Sequence, residues 1–176
     1  VDQIYRNELN DLITLQASYV NVWEIPEPWA NTANDAGTML DQFRVEWSSS
    51  NPVLSSANWD LVHLMTKRPD SGTGGIAYLS VVCDSNYGFG FSAGMTNQSD
   101  FDPLPSYAWN LDVVSHELGH NACSCPGRVT AMNKVGHNRW NSGLPGAGRF
   151  GGLAISTFPL SLLTVETAFI SVHLNI

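Results

Sequence analysis

The sequence predicts one mixed α/β (α+β) domain, and three observations support this. Apolar residues recur at helical spacing in Ala33–Trp47 and again in Tyr107–Asn121. Runs of strand-like composition lie at Leu12–Val22 and at Ile76–Cys83. The 176 residues, of which 43% are hydrophobic and 14% charged, are enough for one sizeable core.

Recognisable signals bound most of these elements. The first strand stops before Pro26, and the first helix ends at the polar run Ser48–Pro52. Trp59–Met65 is a short apolar segment whose type the pattern leaves open. Gly72–Gly75 is predicted as a turn.

An aromatic and glycine alternation follows in Tyr87–Phe91. Glycine inside a strand often marks a place where another group approaches the backbone closely, so we predict an edge strand here. Pro103 and Pro105 then end the stretch, and Ser106 is well suited to cap the helix that follows.

The overall charge and the apolar pattern exclude several partners. The net charge of -8 argues against a nucleic acid or an anionic membrane. Apolar runs fall far short of the roughly 20 residues of a spanning helix. The chain starts at Val1, so we expect a processed or partial product, and the low lysine content favours a secreted one. Of the three cysteines, Cys83 could pair with Cys123 or Cys125.

The charges divide the chain at about residue 122. Fifteen of the 16 acidic residues and four of the eight basic residues lie in residues 1–117. The later part reads as rich in glycine, serine and proline with weak periodicity, and its only acid is Glu166. Within a single domain, 1–176, we therefore predict a subdomain 1–121 that includes the last helix and an irregular C-terminal subdomain 122–176.

The helix Tyr107–Asn121 has the clearest chemical signal. His116 and His120 are four residues apart, so both imidazoles project from one helix face and can bind one metal ion. Zinc in such a site lowers the pKa of a bound water to about 7. Glu117 lies beside the histidines, where it can take the proton of that water and pass it to a leaving amine.

At this helix the sequence, Val113–Asn121, resembles the metzincin zinc peptidases, in particular the reprolysin-like (adamalysin-type) enzymes and their bacterial relatives. The resemblance extends upstream through Asp60–Leu64, Gly74–Tyr78 and Tyr87–Ser92 and covers about residues 1–121. It implies a mixed twisted sheet with a central active-site helix, a Zn2+ cofactor and a peptide or protein substrate.

The resemblance also implies where that substrate would lie. Ile76–Val82 and Tyr87–Met95 would be sheet strands above the cleft, the latter an edge strand that pairs with an extended peptide. A simple role as core strands is the alternative. The first strand and most of the first helix of the family would precede Val1.

Downstream of Asn121 the family pattern stops. The family places a third zinc-binding His or Asp six residues after the second histidine, where this chain has Pro126, which cannot bind zinc. The candidates for a third ligand are His137, which we favour, Cys123 or Cys125, and Glu166, the last as in gluzincins.

The sequence therefore supports a zinc metalloendopeptidase with Glu117 as general base. Two alternatives stay open: a metzincin-like binding domain that lacks the third ligand, and a gluzincin-type peptidase that uses Glu166. The loss of acids after Glu117 also fits a tail altered by a frameshift. The oligomeric state stays undetermined.

Overall fold

A computed structural model describes residues 1–23, 27–29, 33–50, 56, 59–82, 84–98, 108–122 and 167–175. Within these ranges the chain forms three α-helices, one π-helical turn and five strands. They are α1 (Asp2–Glu8), β1 (Thr14–Trp23), α2 (Ala36–Val45), the π-helical turn (Glu46–Ser50), β2 (Leu61–Thr66), β3 (Gly75–Ala77), β4 (Phe89–Ser92), α3 (Trp109–Ala122) and β5 (Thr167–Asn175).

The five described strands form one mixed sheet in the order β1-β5-β2-β4-β3. β2 and β4 are parallel, and the other three pairs are antiparallel. This is the mixed α/β architecture that the sequence predicts. The strand predicted at Leu12–Val22 is confirmed as β1, and the apolar segment Trp59–Met65 contains β2.

Each face of the sheet carries a helix, and the alternation along β2 separates the two cores. Val62 and Leu64 face the core under α2, whereas Leu61 faces the core under α3. The α2 core is aromatic, and its buried members are Trp29, Met39, Leu40, Phe43, Trp47, Val62, Leu64, Phe89, Phe91 and Ala93. The α3 core is mostly aliphatic, and its buried members are Tyr5, Leu9, Ile13, Leu61, Val113, Val114, Leu118 and Ala122.

Helix α2 confirms the predicted helix Ala33–Trp47 with tighter bounds. Asp35 caps its start, because the carboxylate accepts a hydrogen bond from the Thr38 N–H at 3.0 Å. The apolar residues at helical spacing turn towards the sheet, and Met39 and Phe43 are buried. The helix therefore covers the aromatic core.

The strand predicted at Ile76–Cys83 is much shorter in the structure, where β3 ends at Ala77. Beyond it the backbone turns towards the end of α3. The Ser80 N–H donates to the His120 carbonyl at 2.9 Å, and the Val81 N–H donates to the Asn121 carbonyl at 2.8 Å. The β-branched residues that favoured a strand therefore bind a helix end instead of a neighbouring strand.

The prediction that Tyr87–Met95 forms an edge strand is wrong. β4 lies between β2 and β3, and all four of its residues are buried. The glycine does mark a close approach, but from inside the protein: a Cβ on Gly90 would lie 3.1 Å from Oδ1 of Asn121. The edge of the described sheet on this side is β3.

The last described segment is also extended. Thr167–Asn175 forms the strand β5. β5 pairs with β1 on one side and with β2 on the other, so residues 167–175 complete the sheet. Residues 123–166 lie outside the described part, and the predicted division at residue 122 stays a prediction.

Candidate active site

The two histidines of α3 converge on one point. His116 and His120 lie one helical turn apart, and their Nε2 atoms are 2.9 Å from each other. The rings meet edge to face, with centroids 4.4 Å apart. Two nitrogens on one tetrahedral zinc, each bound at about 2.0–2.1 Å, are roughly 3.3 Å apart, so this pair needs little movement to bind one ion.

Glu117 lies beside the histidine pair, and its side chain is largely withdrawn from solvent. The residue is 5% exposed, and burial raises the pKa of its carboxyl group to about 8. Its Oε2 atom is buried and has no hydrogen-bond partner. A buried carboxyl group without a partner is costly, and a nearby cation would favour its charged form.

The edge of the sheet forms the wall opposite the helix. Gly75 packs directly on Glu117: a Cβ at Gly75 would lie 2.7 Å from Oε1 of that carboxylate and 2.7 Å from the Phe91 carbonyl oxygen. Gly74 likewise packs on Trp109, whose ring would lie 2.7 Å from an added Cβ. Gly75 thus begins β3, where the sequence predicts only a turn, and with Gly74 just before it lets the strand lie against the helix.

A cleft of about 450 Å³ lies between this strand and α3. Its lining combines the histidines and Glu117 with the backbone of the edge strand and with apolar side chains. The lining residues are Thr73, Gly74, Gly75, Ile76, Ala77, Leu79, Trp109, Val113, His116, Glu117 and His120. A second cleft shares Thr73, Gly74 and Trp109 with the first and extends towards Arg68.

On the side of β3 where no described strand pairs with it, backbone groups are directed away from the sheet. Gly74 accepts a hydrogen bond from Ala93 at 2.8 Å, and Tyr78 donates into β4 at 3.2 Å. Because main-chain groups alternate in direction along an antiparallel strand, Gly75 and Ala77 direct theirs away from β4. An extended peptide laid along β3 would meet these groups.

Contacts at several points fix the position of α3. Near its middle, the Tyr5 hydroxyl donates to the Ser115 carbonyl at 2.8 Å. At its end, the buried Asn121 amide donates to the carbonyls of Tyr78 and Phe89, both at 2.9 Å. The helix therefore presents its histidines from a fixed position under the sheet edge.

The candidates for a third zinc ligand have no described position. His137, Cys123, Cys125 and Glu166 all fall outside the described residues, as does Cys83. Among the described residues, no group of three or more His, Cys, Asp or Glu side chains could hold a metal ion. The predicted ligands His116 and His120 are close together, and the best candidate for the third, His137, stays a prediction.

Sequence reasoning missed several parts of this site. It assigned no role to Gly75, although the glycine pair before a strand-like run was visible. It also gave no role to His63, which lies buried behind the helix. Only its position in an apolar run signalled burial.

An edge strand beside a helix that carries two histidines and a glutamate is the arrangement expected of a metallopeptidase site. A sequence profile of the metallopeptidase family M12B, reprolysin-like, matches residues 1–124, and the chain belongs to this family. Peptidases of this family generally depend on zinc. The resemblance stated from the helix and the upstream segments is thus confirmed.

A curated human relative supports the same family. Disintegrin and metalloproteinase domain-containing protein 9 is 29% identical over 112 residues, a match that covers 58% of this chain and 12% of that protein. The chain therefore spans only a small part of its relative. No solved structure matches the chain. None of the helices in the described ranges has the length and apolar character needed to cross a membrane.

Proposed function

We propose that this chain is a zinc-dependent endopeptidase domain that acts outside the cell on peptide or protein substrates. The observation that carries the proposal is the convergence of the His116 and His120 Nε2 atoms beside the buried Glu117 carboxyl group, next to β3, the edge strand of the described sheet. The family membership and the low lysine content support it.

The donors present fit zinc. Neutral imidazole nitrogen is a common zinc ligand, and a buried carboxyl group with a raised pKa is stabilised in its charged form by a cation. His116 and His120 would hold the ion with a third ligand from outside the described residues. When bound, zinc supplies Lewis acidity, which lowers the pKa of a water and polarises a carbonyl group.

Glu117 performs the proton transfers. Its carboxylate accepts a proton from the attacking water, whose oxygen forms a bond to the carbonyl carbon of the peptide. The same carboxyl group then donates this proton to the amide nitrogen as the C–N bond breaks, which releases an amine and a carboxylic acid. Burial of Glu117 favours the protonated form that the second transfer requires.

The substrate would lie extended along β3. The outward main-chain groups of Gly75 and Ala77 are available for antiparallel pairing, which fixes the peptide beside the helix. At present the Thr73 hydroxyl donates to the Gly75 carbonyl at 3.0 Å, and a substrate would compete for that acceptor. We therefore propose β3, and not the segment Tyr87–Met95 that the sequence predicts, as the strand that pairs with the substrate.

The test combines metal content with peptide hydrolysis. Elemental mass spectrometry of the purified chain should find about one zinc, and His120→Ala should lose it. Glu117→Gln should keep the zinc but lower the rate of hydrolysis of a labelled unfolded protein by about 10²–10⁴-fold. Glu8→Gln, an exposed substitution on α1, is the matched control and should change neither.

Other outcomes would identify the rivals. A chain that binds peptides but holds no zinc would be a non-catalytic binding domain, and the endopeptidase proposal would be overturned. Zinc lost in Glu166→Ala but kept in His137→Ala would identify the gluzincin arrangement. Zinc lost in His137→Ala would support the ligand that we favour.

A further inference from the structure

Behind the active-site helix lies a buried polar side chain that the proposed mechanism does not use. His63 on β2 is 2% exposed, and its Nε2 atom is 2.9 Å from the Ser92 hydroxyl of β4. Its Nδ1 atom is buried and has no hydrogen-bond partner. The ring therefore has one satisfied nitrogen and one that faces the α3 side of the sheet.

A matching atom belongs to the residue that follows the second histidine. Asn121 is fully buried, and its Nδ2 donates to the carbonyls of Tyr78 and Phe89. Because both partners are acceptors, the amide can only be oriented with nitrogen towards them. Its Oδ1 atom thus points the other way, where it is buried and has no hydrogen-bond partner.

Both atoms border the same small space beside Gly90. Gly90 is the direct neighbour of His63 in the β2–β4 register. A Cβ on this glycine would lie 2.9 Å from Cβ of Ala77, 3.1 Å from Oδ1 of Asn121 and 3.4 Å from Nδ1 of His63. Two buried polar atoms that border one space and have no hydrogen-bond partner can be bridged by an internal water.

We propose that His63 is a positioning residue for the metal site, whose Nδ1–H donates through one buried water to Oδ1 of Asn121. This inference rests on the proposed zinc site, since it explains how the end of α3 that bears His120 is held. This path from His63 through the water, the His63 relay, holds the Asn121 amide by its oxygen, in addition to the two hydrogen bonds that already orient it. That amide in turn fixes the distance of the helix end from the sheet edge.

The relay requires one tautomer of the imidazole. Ser92 must donate its hydroxyl hydrogen to Nε2, so that the ring hydrogen lies on Nδ1. Burial lowers the pKa of His63 to about 3, which keeps the ring neutral near pH 7 and leaves it with one hydrogen to place. Nitrogen NMR of the full chain distinguishes the two tautomers directly.

Two substitutions distinguish the roles of the two ring nitrogens of His63. In His63→Asn the side-chain NH₂ takes the place of Nδ1–H, whereas in His63→Gln the amide takes the place of Nε2 and loses the donor towards Asn121. We expect His63→Gln to weaken zinc binding about tenfold in a chelator competition, the lower end for groups that orient metal ligands. His63→Asn should stay within about threefold of the wild type.

Thr66→Val is the matched control, since Thr66 is a fully buried polar residue on the same strand that donates to Glu27 at 2.8 Å. It should leave the zinc affinity unchanged. A hydrogen on Nε2 in the wild type would overturn the proposal, as would equal zinc affinities for His63→Asn and His63→Gln. The tautomer can be read without zinc, so a failure of the zinc proposal is distinguishable from a failure of this one.

Discussion

The two faces of the sheet differ in what they bury. Under α2 the core is packed with aromatic rings in edge-to-face contact, for example Trp29 with Phe43 at 5.4 Å and Phe43 with Phe89 at 5.8 Å. Under α3 the aliphatic core is accompanied by polar groups, among them His63, Glu117 and Asn121. The difference indicates that the α2 face contributes most of the stability, whereas the buried polar groups of the α3 face lower the stability but position the candidate site.

The largest expected effect lies on the aromatic face. Phe43→Ala removes a ring that is 1% exposed and in contact with two other rings, and it should lower the free energy of unfolding by about 3–5 kcal/mol. Denaturant unfolding measures the loss, and zinc content per folded molecule should stay the same. Phe43→Leu should cost clearly less. A large change in zinc content with little loss of stability would contradict the assignment of stability to this face.

The next effect tests the contact between the sheet edge and the site. Gly75→Ala places a methyl group 2.7 Å from both the Glu117 carboxylate and the Phe91 carbonyl, so it should destabilise the fold by about 1–3 kcal/mol and reduce hydrolysis.

The matched change, Gly37→Ala, lies in α2, where the nearest atom to the new methyl group is 3.9 Å away. Alanine is the better helix former, so this variant should be more stable by about 0.5–1 kcal/mol. Denaturant unfolding of both variants gives the sign of the change in the free energy of unfolding. If both variants change it in the same direction, the edge of β3 is not in tight contact with the helix.

The smallest effect concerns the pH dependence of the polar face. The folded state keeps His63 neutral down to about pH 3, whereas the unfolded state takes up a proton near pH 6.5. The contribution of His63 is therefore complete above pH 6.5 and is lost as the pH falls towards 3, by up to about 1.4 kcal/mol per pH unit.

The measurement compares how the free energy of unfolding of the wild type and of His63→Asn changes with pH. Glu117, whose folded pKa is raised, acts in the opposite direction between about pH 4.5 and 8, but it does so equally in the wild type and in His63→Asn. The wild type should therefore lose stability faster than His63→Asn as the pH falls from 7 to 5. Parallel curves for the two proteins would show that His63 is not buried in its neutral form.

Local patterns predicted much of the fold and half of the site. The spacing of His116 and His120 needs only helix geometry, and α2 and β1 follow from periodicity and composition. The edge strand was misplaced because aromatic and glycine alternation looks the same whether the approaching group is a substrate or, as at Gly90, an internal asparagine. Helix α1 was missed because seven residues carry little periodic signal.

Long-range pairing was beyond what the sequence could show. Nothing local in Thr167–Asn175 indicates that it pairs with two strands some 150 and 100 residues earlier, because register depends on partners distant along the chain. The position of His63 behind Asn121 is likewise a product of the β2–β4 register. The candidates for a third ligand lie in the part of the chain where the family pattern gives no guide.

The place of β5 has a consequence for how the protein is made. The family match ends at residue 124, yet the strand between β1 and β2 comes from residues 167–175. During synthesis β5 is made about 100 residues after β2, so the described sheet cannot be completed until residues 167–175 have left the ribosome. Until then the hydrogen-bonding edges of β1 and β2 are open to other strands, so the nascent chain passes through a stage at which it is prone to aggregate.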